Sequence, residues 1–336
     1  MPPQWDESAV TEDDLIAALF APIAGEGALG LRDDAALIAP TPGREIVVTL
    51  DTVVAGIHFF ADDPPGAIAR KALRVNLSDL AAKGALPRGF LLSLSLPKDF
   101  WAGAGAQGWL ETFARTLGED ARRYGCPLLG GDTVATPGPL TLSITALGEV
   151  AAGRMVKRTG VKPGDALYVT GTIGDGALGL KARMGETPRL TGADEDFLVG
   201  RYLTPEPRNA LARAMADFAS GGMDVSDGLV GDLSKMLRVS GVAARVDLRA
   251  VPLSPSARAL IAHGPEWFER AMTGGDDYEL LASLPPGRAA AFEAAAAEAN
   301  VAVTRVGEAL AGAGAPTFIG LDGAPATFKV GSYGHF

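Results

Sequence analysis

Aspartate recurs beside glycine, threonine or serine near the ends of apolar segments of this chain. The instances are Asp33-Asp34, Asp51-Thr52, Asp79, Gly130-Gly131-Asp132-Thr133, Asp224-Val225-Ser226-Asp227-Gly228 and Gly274-Gly275-Asp276-Asp277. Two carboxylates about 4 Å apart repel by roughly 4 kcal/mol at the effective dielectric of a protein surface. A cluster of them therefore traps protons or collects divalent cations. Aspartate oxygens, with water and phosphate oxygens, are the ligands Mg2+ prefers. The first expectation is a magnesium-dependent phosphate site.

Each segment also has a plainer reading. Asp51 follows the apolar run Glu45 to Leu50, where sheet proteins often place ligands, or it ends that strand in an Asx turn; both stand. Val75-Asn76-Leu77-Ser78-Asp79-Leu80-Ala81-Ala82-Lys83-Gly84 puts three poor helix-interior residues into one turn of an apolar helix. Such side chains compete for backbone hydrogen bonds. An Asp79–Lys83 pair at i,i+4 would repay only a few tenths of a kcal/mol, so a functional Asp79 is favoured. Gly130-Gly131 removes the Cβ obstruction to a ligand, or simply makes a hairpin turn. Ser226 or Asp227 could cap a helix, but a cap needs one such group, and helix N-termini also accept phosphate. The surplus of Asp224, Ser226 and Asp227 favours a metal or nucleotide role.

Arg154, Lys157 and Arg158 form either a solvated linker face or a charge source for transferring phosphates. His58 follows the Asp51 segment closely, whereas His263 and His335 are scattered and no zinc spacing exists. The Gly-x4-Gly-Lys-Ser/Thr loop, Gly-x-Gly-x-x-Gly and the kinase His-Arg-Asp segment are all absent. Thr170-Gly-Thr-Ile-Gly-Asp-Gly176 is a weak glycine-loop candidate.

The elements that must position these residues follow from apolar periodicity. Helices are expected over Thr11 to Phe20, Ile68 to Ala82, Trp109 to Tyr124 and Arg288 to Ala299, and Gly171 to Met184 reads as a glycine-rich turn followed by a helix. A further helix, with Val230, Leu233, Met236 and Leu237 on one face, opens at Ser226-Asp227-Gly228. Strands are expected at Ala35 to Ile38, Glu45 to Leu50, Phe90 to Leu96, Leu140 to Val150, Ala166 to Thr170 and Val301 to Val306. The mixture points to an α/β (α+β) architecture. A length of 336 residues suggests two domains, with a boundary near 150–164.

Composition narrows the function. With 47% hydrophobic and 21% charged residues the chain is globular. A net charge of −10 argues against nucleic acid or an anionic membrane as partner. Cys126 is the only cysteine, so no intrachain disulfide forms and a reducing cytoplasm suits the chain. The acidic N-terminus is unlike a signal peptide, and no run of about 18 apolar residues is present to span a membrane.

Taken together, the segments resemble the thiamine-monophosphate kinase family of the aminoimidazole-ribotide synthetase-like superfamily. The most specific parts are Asp51-Thr-Val-Val-Ala-Gly-Ile-His58-Phe59, Val75-Asn-Leu-Ser-Asp79-Leu-Ala-Ala-Lys-Gly, Gly130-Gly-Asp132-Thr, Met223-Asp224-Val-Ser-Asp227-Gly-Leu and Gly274-Gly-Asp-Asp-Tyr278-Glu-Leu. The resemblance implies a two-domain fold, an N-terminal mixed sheet with helices on one face and a C-terminal α/β sandwich. It assigns 1–150 to metal and ATP binding and dimerisation, and 151–336 to a domain completing the ATP and substrate site. It implies a phosphotransferase that uses ATP and several Mg2+ ions to phosphorylate thiamine phosphate, acting as a homodimer.

By the same resemblance, Asp33, Thr49, Asp51, Asp79, Asp132, Asp224 and Asp227 match magnesium positions, of which Asp51, Asp79 and Asp227 form the catalytic set. Gly131, Asp132, Arg158 and Ser226 match ATP contacts, and His58, Asp276 and Tyr333 match acceptor contacts. Three residues depart from the family pattern: Arg32 for glycine, Leu50 for threonine and Asp276 for glutamate. The competing readings are another ATP-using enzyme of the superfamily, of the aminoimidazole-ribotide synthetase kind, and a non-catalytic nucleotide- or thiamine-binding regulator. Asp34 and Asp277 receive no role.

Overall fold

Alternating apolar residues dominate the first half of the chain and build a sheet with one covered and one open face. A computed structural model describes residues 11–102, 105–329 and 331–334; the acidic N-terminal segment and His335 lie outside the described residues. The chain divides into two compact units, residues 1–76 with 87–149 and residues 77–86 with 150–336.

The first unit begins with α1 (Glu12–Leu15), continued by a π-helical turn over Ile16–Phe20. Then come β1 (Arg44–Val54), α2 (Pro65–Ala82, its residues from Leu77 belonging to the second unit), β2 (Leu86–Pro97), α3 (Ala106–Arg123), β3 (Leu128–Thr136) and β4 (Thr141–Ala151). The strands form one sheet in the order β1-β4-β2-β3, with β2 and β3 parallel. Leu142, Ile144 and Ala146 of β4 are buried, and they alternate with half-buried Ser143, Thr145 and Leu147. The helices lie on the covered face and are joined by a buried fork in which Arg74 donates to Asp120 at 2.6 and 3.0 Å. On the open side Ile46, Val48 and Leu50 of β1, Leu91 of β2 and Val134 of β3 remain exposed.

The strand expected at Ala35 to Ile38 is irregular instead. The Leu37 N–H donates to the Gly27 carbonyl at 2.8 Å, so this backbone is satisfied by a helical loop rather than by a sheet neighbour. A Cβ on Gly27 would stand 2.2 Å from the Leu37 oxygen, which is why glycine permits that approach.

The second unit is a layered α/β sandwich. Its elements are β5 (Ala166–Thr170), α4 (Asp175–Arg183), α5 (Gly192–Leu203), α6 (Ala212–Phe218), β6 (Gly221–Asp224), α7 (Leu229–Ser240) and β7 (Ala243–Asp247). They continue with α8 (Pro255–Ile261), α9 (Pro265–Thr273), β8 (Leu280–Leu284), α10 (Ala289–Glu298), β9 (Val303–Leu310), β10 (Thr317–Ile319) and β11 (Pro325–Ala326). The seven strands run in the order β11-β10-β7-β9-β5-β8-β6.

β8 is covered on both faces, buried along its whole length and apolar apart from Ser283. In β8, Leu281 enters the core that holds Leu229, Leu233 and Met236 of α7. Leu280, Ala282 and Leu284 enter the core on the other face, with Met215 of α6 and Phe292 of α10.

Candidate active site

Asp51 lies within β1 rather than at its end, because the strand runs on to Val54; this replaces the Asx-turn reading. Alternation puts Thr49 and Asp51 on the face of buried Val47 and Val53, and Leu50 on the opposite face, 60% exposed. The Asp51 N–H donates to Asn76 Oδ1 at 3.1 Å, and Asn76 Nδ2 donates to the Ala72 carbonyl at 3.1 Å. That pairing explains a fully buried asparagine inside an apolar helix: it fixes this part of β1 to α2. Beyond the strand, His58 Nδ1 accepts from the Val54 N–H at 3.1 Å, and the His58 carbonyl accepts from Lys71 Nζ at 2.9 Å. In the neutral ring the proton therefore sits on Nε2.

Gly130, Gly131 and Asp132 lie inside β3, which rules out the hairpin turn. A Cβ on Gly131 would meet the Leu92 carbonyl oxygen at 1.9 Å, so a neighbouring strand demands the glycine. Asp132 is exposed, and with Asp33, Asp34, Gly131, Leu50 and Leu91 it lines a cavity of about 780 Å³. The first unit thus gathers Asp33, Gly131 and Asp132 at one cavity. Thr49, Asp51 and His58 are not among its lining residues.

In the second unit the chain leaves β6 through Asp224–Gly228 and enters α7. The N-cap is Gly228 at φ +111°, without a side-chain cap, so neither Ser226 nor Asp227 serves as one. A residue the sequence reading passed over does the work: Asp232, buried in the first turn of α7, accepts the N–H groups of Ser226 at 3.0 Å and Asp227 at 2.8 Å. Burial raises the pKa of Asp232. Lys235 Nζ donates to Asp227 Oδ2 at 2.5 Å and to Asp232 Oδ1 at 3.0 Å. Burial works against the charge on Lys235, but these bonds outweigh it and hold its pKa above the ordinary lysine value.

The Gly274–Glu279 segment lies along this turn. The Asp276 N–H donates to the Ser226 carbonyl at 2.9 Å and the Tyr278 N–H to the Val225 carbonyl at 2.8 Å. A Cβ on Gly275 would fall 2.1 Å from the Ser226 oxygen. Asp276 and Tyr278 have φ of +70° and +52°, a left-handed conformation uncommon outside glycine. The Tyr333 N–H donates to the Asp227 carbonyl at 3.0 Å, while its side chain is exposed. Asp224, Ser226, Asp227 and Asp276 therefore lie along two interlocked segments, and the backbone of Tyr333 joins them from the C-terminal stretch.

Asp277 also has a part that sequence reasoning missed. It is 1% exposed and accepts the N–H groups of Gly174 at 2.7 Å and Gly176 at 2.9 Å, at the start of α4. Burial pushes its pKa well up. The N-terminus of α4 is thus occupied by an internal carboxylate, which removes the glycine loop at 170–176 as a phosphate site. Glu279, also buried, accepts from Arg201 at 3.0 Å, from Arg208 Nε at 2.7 Å and from Thr170 Oγ1 at 2.6 Å.

Around Asp224, Ser78 Oγ donates to its Oδ2 at 2.7 Å, and half-buried Asp79 follows Ser78 in the chain. Lys83 Nζ donates to the Gly222 carbonyl at 2.9 Å. Burial draws the Lys83 pKa down, the Asp224 and Asp79 carboxylates draw it up, and the Arg158 guanidinium pushes it down. Arg158 itself is exposed, and its carbonyl accepts from Ser240 Oγ at 2.8 Å. Cys126 is buried and its thiol is pushed up to about 12, so it is no nucleophile.

Among the described residues no three His, Cys, Asp or Glu side chains stand close enough to hold a metal by themselves. Magnesium usually takes one or two carboxylates and completes its shell with water and substrate phosphates.

Residues 32–150 match the N-terminal domain, and residues 162–317 the C-terminal domain, of AIR synthase related proteins. The fold and site therefore define a member of that class. The thiamine-monophosphate kinase of Caulobacter vibrioides is 46% identical over 313 residues, 92% of this chain and 86% of the relative. The structure of the Stenotrophomonas maltophilia thiamine-monophosphate kinase matches with a TM-score of 0.78 and 37% identity, covering 88% of this chain and 91% of that one. AaThiL, complexed with AMPPCP and TMP, matches with a TM-score of 0.76 and 30% identity over 90% and 91%. The chain belongs to the thiamine-monophosphate kinase family.

Proposed function

We propose that this enzyme transfers the γ-phosphoryl group of ATP directly to thiamine phosphate, giving thiamine diphosphate in thiamine biosynthesis. The observation that carries the reading is the interlocking of Asp224–Gly228 with Gly274–Glu279. It sets carboxylates suited to phosphate-borne cations beside Asp276 and Tyr333, both suited to an acceptor. The complex of AaThiL with AMPPCP, an ATP analogue, and TMP supports both substrates.

Asp33, Thr49, Asp51, Asp79, Asp132, Asp224 and Asp227 would hold several Mg2+ ions, which supply charge neutralisation between two polyphosphate anions. Gly131, Asp132, Arg158 and Ser226 would bind the nucleotide, the exposed Arg158 guanidinium being suited to pair with phosphate oxygens. His58, Asp276 and Tyr333 orient thiamine phosphate. Its phosphate monoester is mostly ionised at neutral pH, since the second pKa lies near 6. No strong general base is needed, and in-line alignment is the chief demand on the protein. A stable phosphoaspartate after incubation with labelled ATP would refute direct transfer.

The open sheet face of the first unit, with Ile46, Val48, Leu50, Leu91 and Val134 exposed, suits a second copy of the chain, because contiguous apolar surface marks interaction sites. The proposed state is a homodimer, and the proposed location is the cytoplasm, where a lone buried thiol stays reduced. Among the described residues no helix is long and apolar enough to cross a membrane.

The deciding experiment incubates the protein with Mg2+, ATP and thiamine phosphate, with thiamine as control acceptor. Thiamine diphosphate should form from thiamine phosphate alone. Absence of product, or transfer to thiamine instead, overturns the reading.

A further inference from the structure

Lys83 is a cation placed where the proposed chemistry wants cations of another kind. Its ammonium is half-buried and hydrogen-bonded to the Gly222 carbonyl at 2.9 Å. Gly222 lies two residues before Asp224 on β6, hence on the same face of that strand. Lys83 follows the last turn of α2, which carries Ser78 and Asp79, and its N–H closes that turn on the Asp79 carbonyl at 3.0 Å. Ser78, beside Asp79, donates to Asp224 Oδ2 at 2.7 Å. The Asp224 and Asp79 carboxylates favour the charge on Lys83, and the Arg158 guanidinium opposes it.

Carboxylates gathered away from water need a proton, a metal ion or a fixed cation beside them. With its ammonium committed to a backbone carbonyl, Lys83 acts through its field rather than by reaching into solvent.

We propose that Lys83 is a positioning residue, a resident counter-charge that holds Asp79 and Asp224 together in the metal-free protein and moderates their affinity for divalent cations. The proposal rests on the reading of Asp79 and Asp224 as metal-binding residues. Its consequence is that the site takes up metal loosely, together with the nucleotide, instead of retaining it.

The test is Mn2+ binding, followed by the electron paramagnetic resonance of the free ion, in the presence of a non-hydrolysable ATP analogue. Wild type, Lys83→Met, Lys83→Gln and Asp224→Asn are compared, with thermal melts confirming that each is folded. Removing one positive charge near a divalent ion should tighten Mn2+ binding by about fivefold or more in both lysine variants. Unchanged or weaker binding in either folded variant overturns the proposal. Asp224→Asn separates the two levels of the argument. If it weakens Mn2+ binding while the lysine variants match wild type, the role of Lys83 falls alone. If it leaves binding unchanged, or if wild type binds no Mn2+, the metal reading falls and this proposal with it.

Discussion

Replacing Asp277 by asparagine tests how the buried carboxylate beside Asp276 is held. Asp277 accepts two N–H groups, from Gly174 at 2.7 Å and Gly176 at 2.9 Å. Asparagine keeps one oxygen for one of them and turns an NH2 group toward the other, donor against donor. A buried donor left unsatisfied costs about 1–3 kcal/mol. The loss is offset by removing a charge that burial disfavours. Because burial raises the folded pKa of Asp277 above the value of 3.8 expected in the unfolded chain, the native state binds the proton more tightly. Its contribution to stability is therefore complete below 3.8 and is lost as pH rises through the folded pKa, at up to about 1.4 kcal/mol per pH unit. Asparagine does not titrate.

Urea unfolding of both proteins between pH 4 and pH 8 should show Asp277→Asn less stable by about 1–3 kcal/mol at the acid end, with the gap narrowing as pH rises. Asp194 and Asp247, whose hydrogen bonds lower their pKa, have the opposite slope but contribute equally to both chains. A gap that widens with pH, or stays constant throughout, refutes the reasoning.

Asp51→Asn and Asp227→Asn should each lower turnover by about a hundredfold or more while equilibrium dialysis still detects ATP-analogue binding; undiminished turnover in both would remove these residues from the catalytic set. Gly275→Ala forces a Cβ to within 2.1 Å of the Ser226 oxygen and should cost about 1–3 kcal/mol, read as a lower urea midpoint, with a raised KM for thiamine phosphate. Replacing exposed Val48 and Leu50 by aspartate should convert dimers to monomers in sedimentation velocity without lowering the melting temperature of the monomer.

What the sequence made legible was set by periodicity. The run Glu45 to Leu50 announces β1, and the spacing of Val230, Leu233, Met236 and Leu237 announces α7, because burial of one face imposes a regular pattern. The irregular backbone at Ala35 to Ile38 carries the same apolar letters as a strand, and only its partner at Gly27 tells them apart. Asn76, Ser78 and Asp79 stood out as misplaced polar residues. Their separate partners, the Asp51 N–H for Asn76 and Asp224 for Ser78, depend on residues 25 and 146 positions away. Asp232 was legible only as an acid among apolar neighbours, in Leu229-Val-Gly-Asp-Leu233, whereas Asp277 stood in a flagged motif without a role because its partners Gly174 and Gly176 lie about a hundred residues away. Lys83 entered only through the disfavoured pair with Asp79, since its bond to the Gly222 carbonyl, 139 residues away, cannot be seen from the helix alone.

The left-handed backbone at Asp276 has a consequence for how ligands act on each other. Such a conformation costs of order 1–3 kcal/mol and persists only where its surroundings impose it. One contact that imposes it here is the Ser226 carbonyl, which receives the Asp276 N–H. If, as proposed, the nucleotide contacts Ser226 and the acceptor contacts Asp276, a shift of either residue alters the restraint on the other. Thermodynamics makes that influence equal in both directions. The affinity for either substrate should therefore depend on whether the other is bound, by the same factor, and titration of each in the presence of its partner would read that factor from both sides.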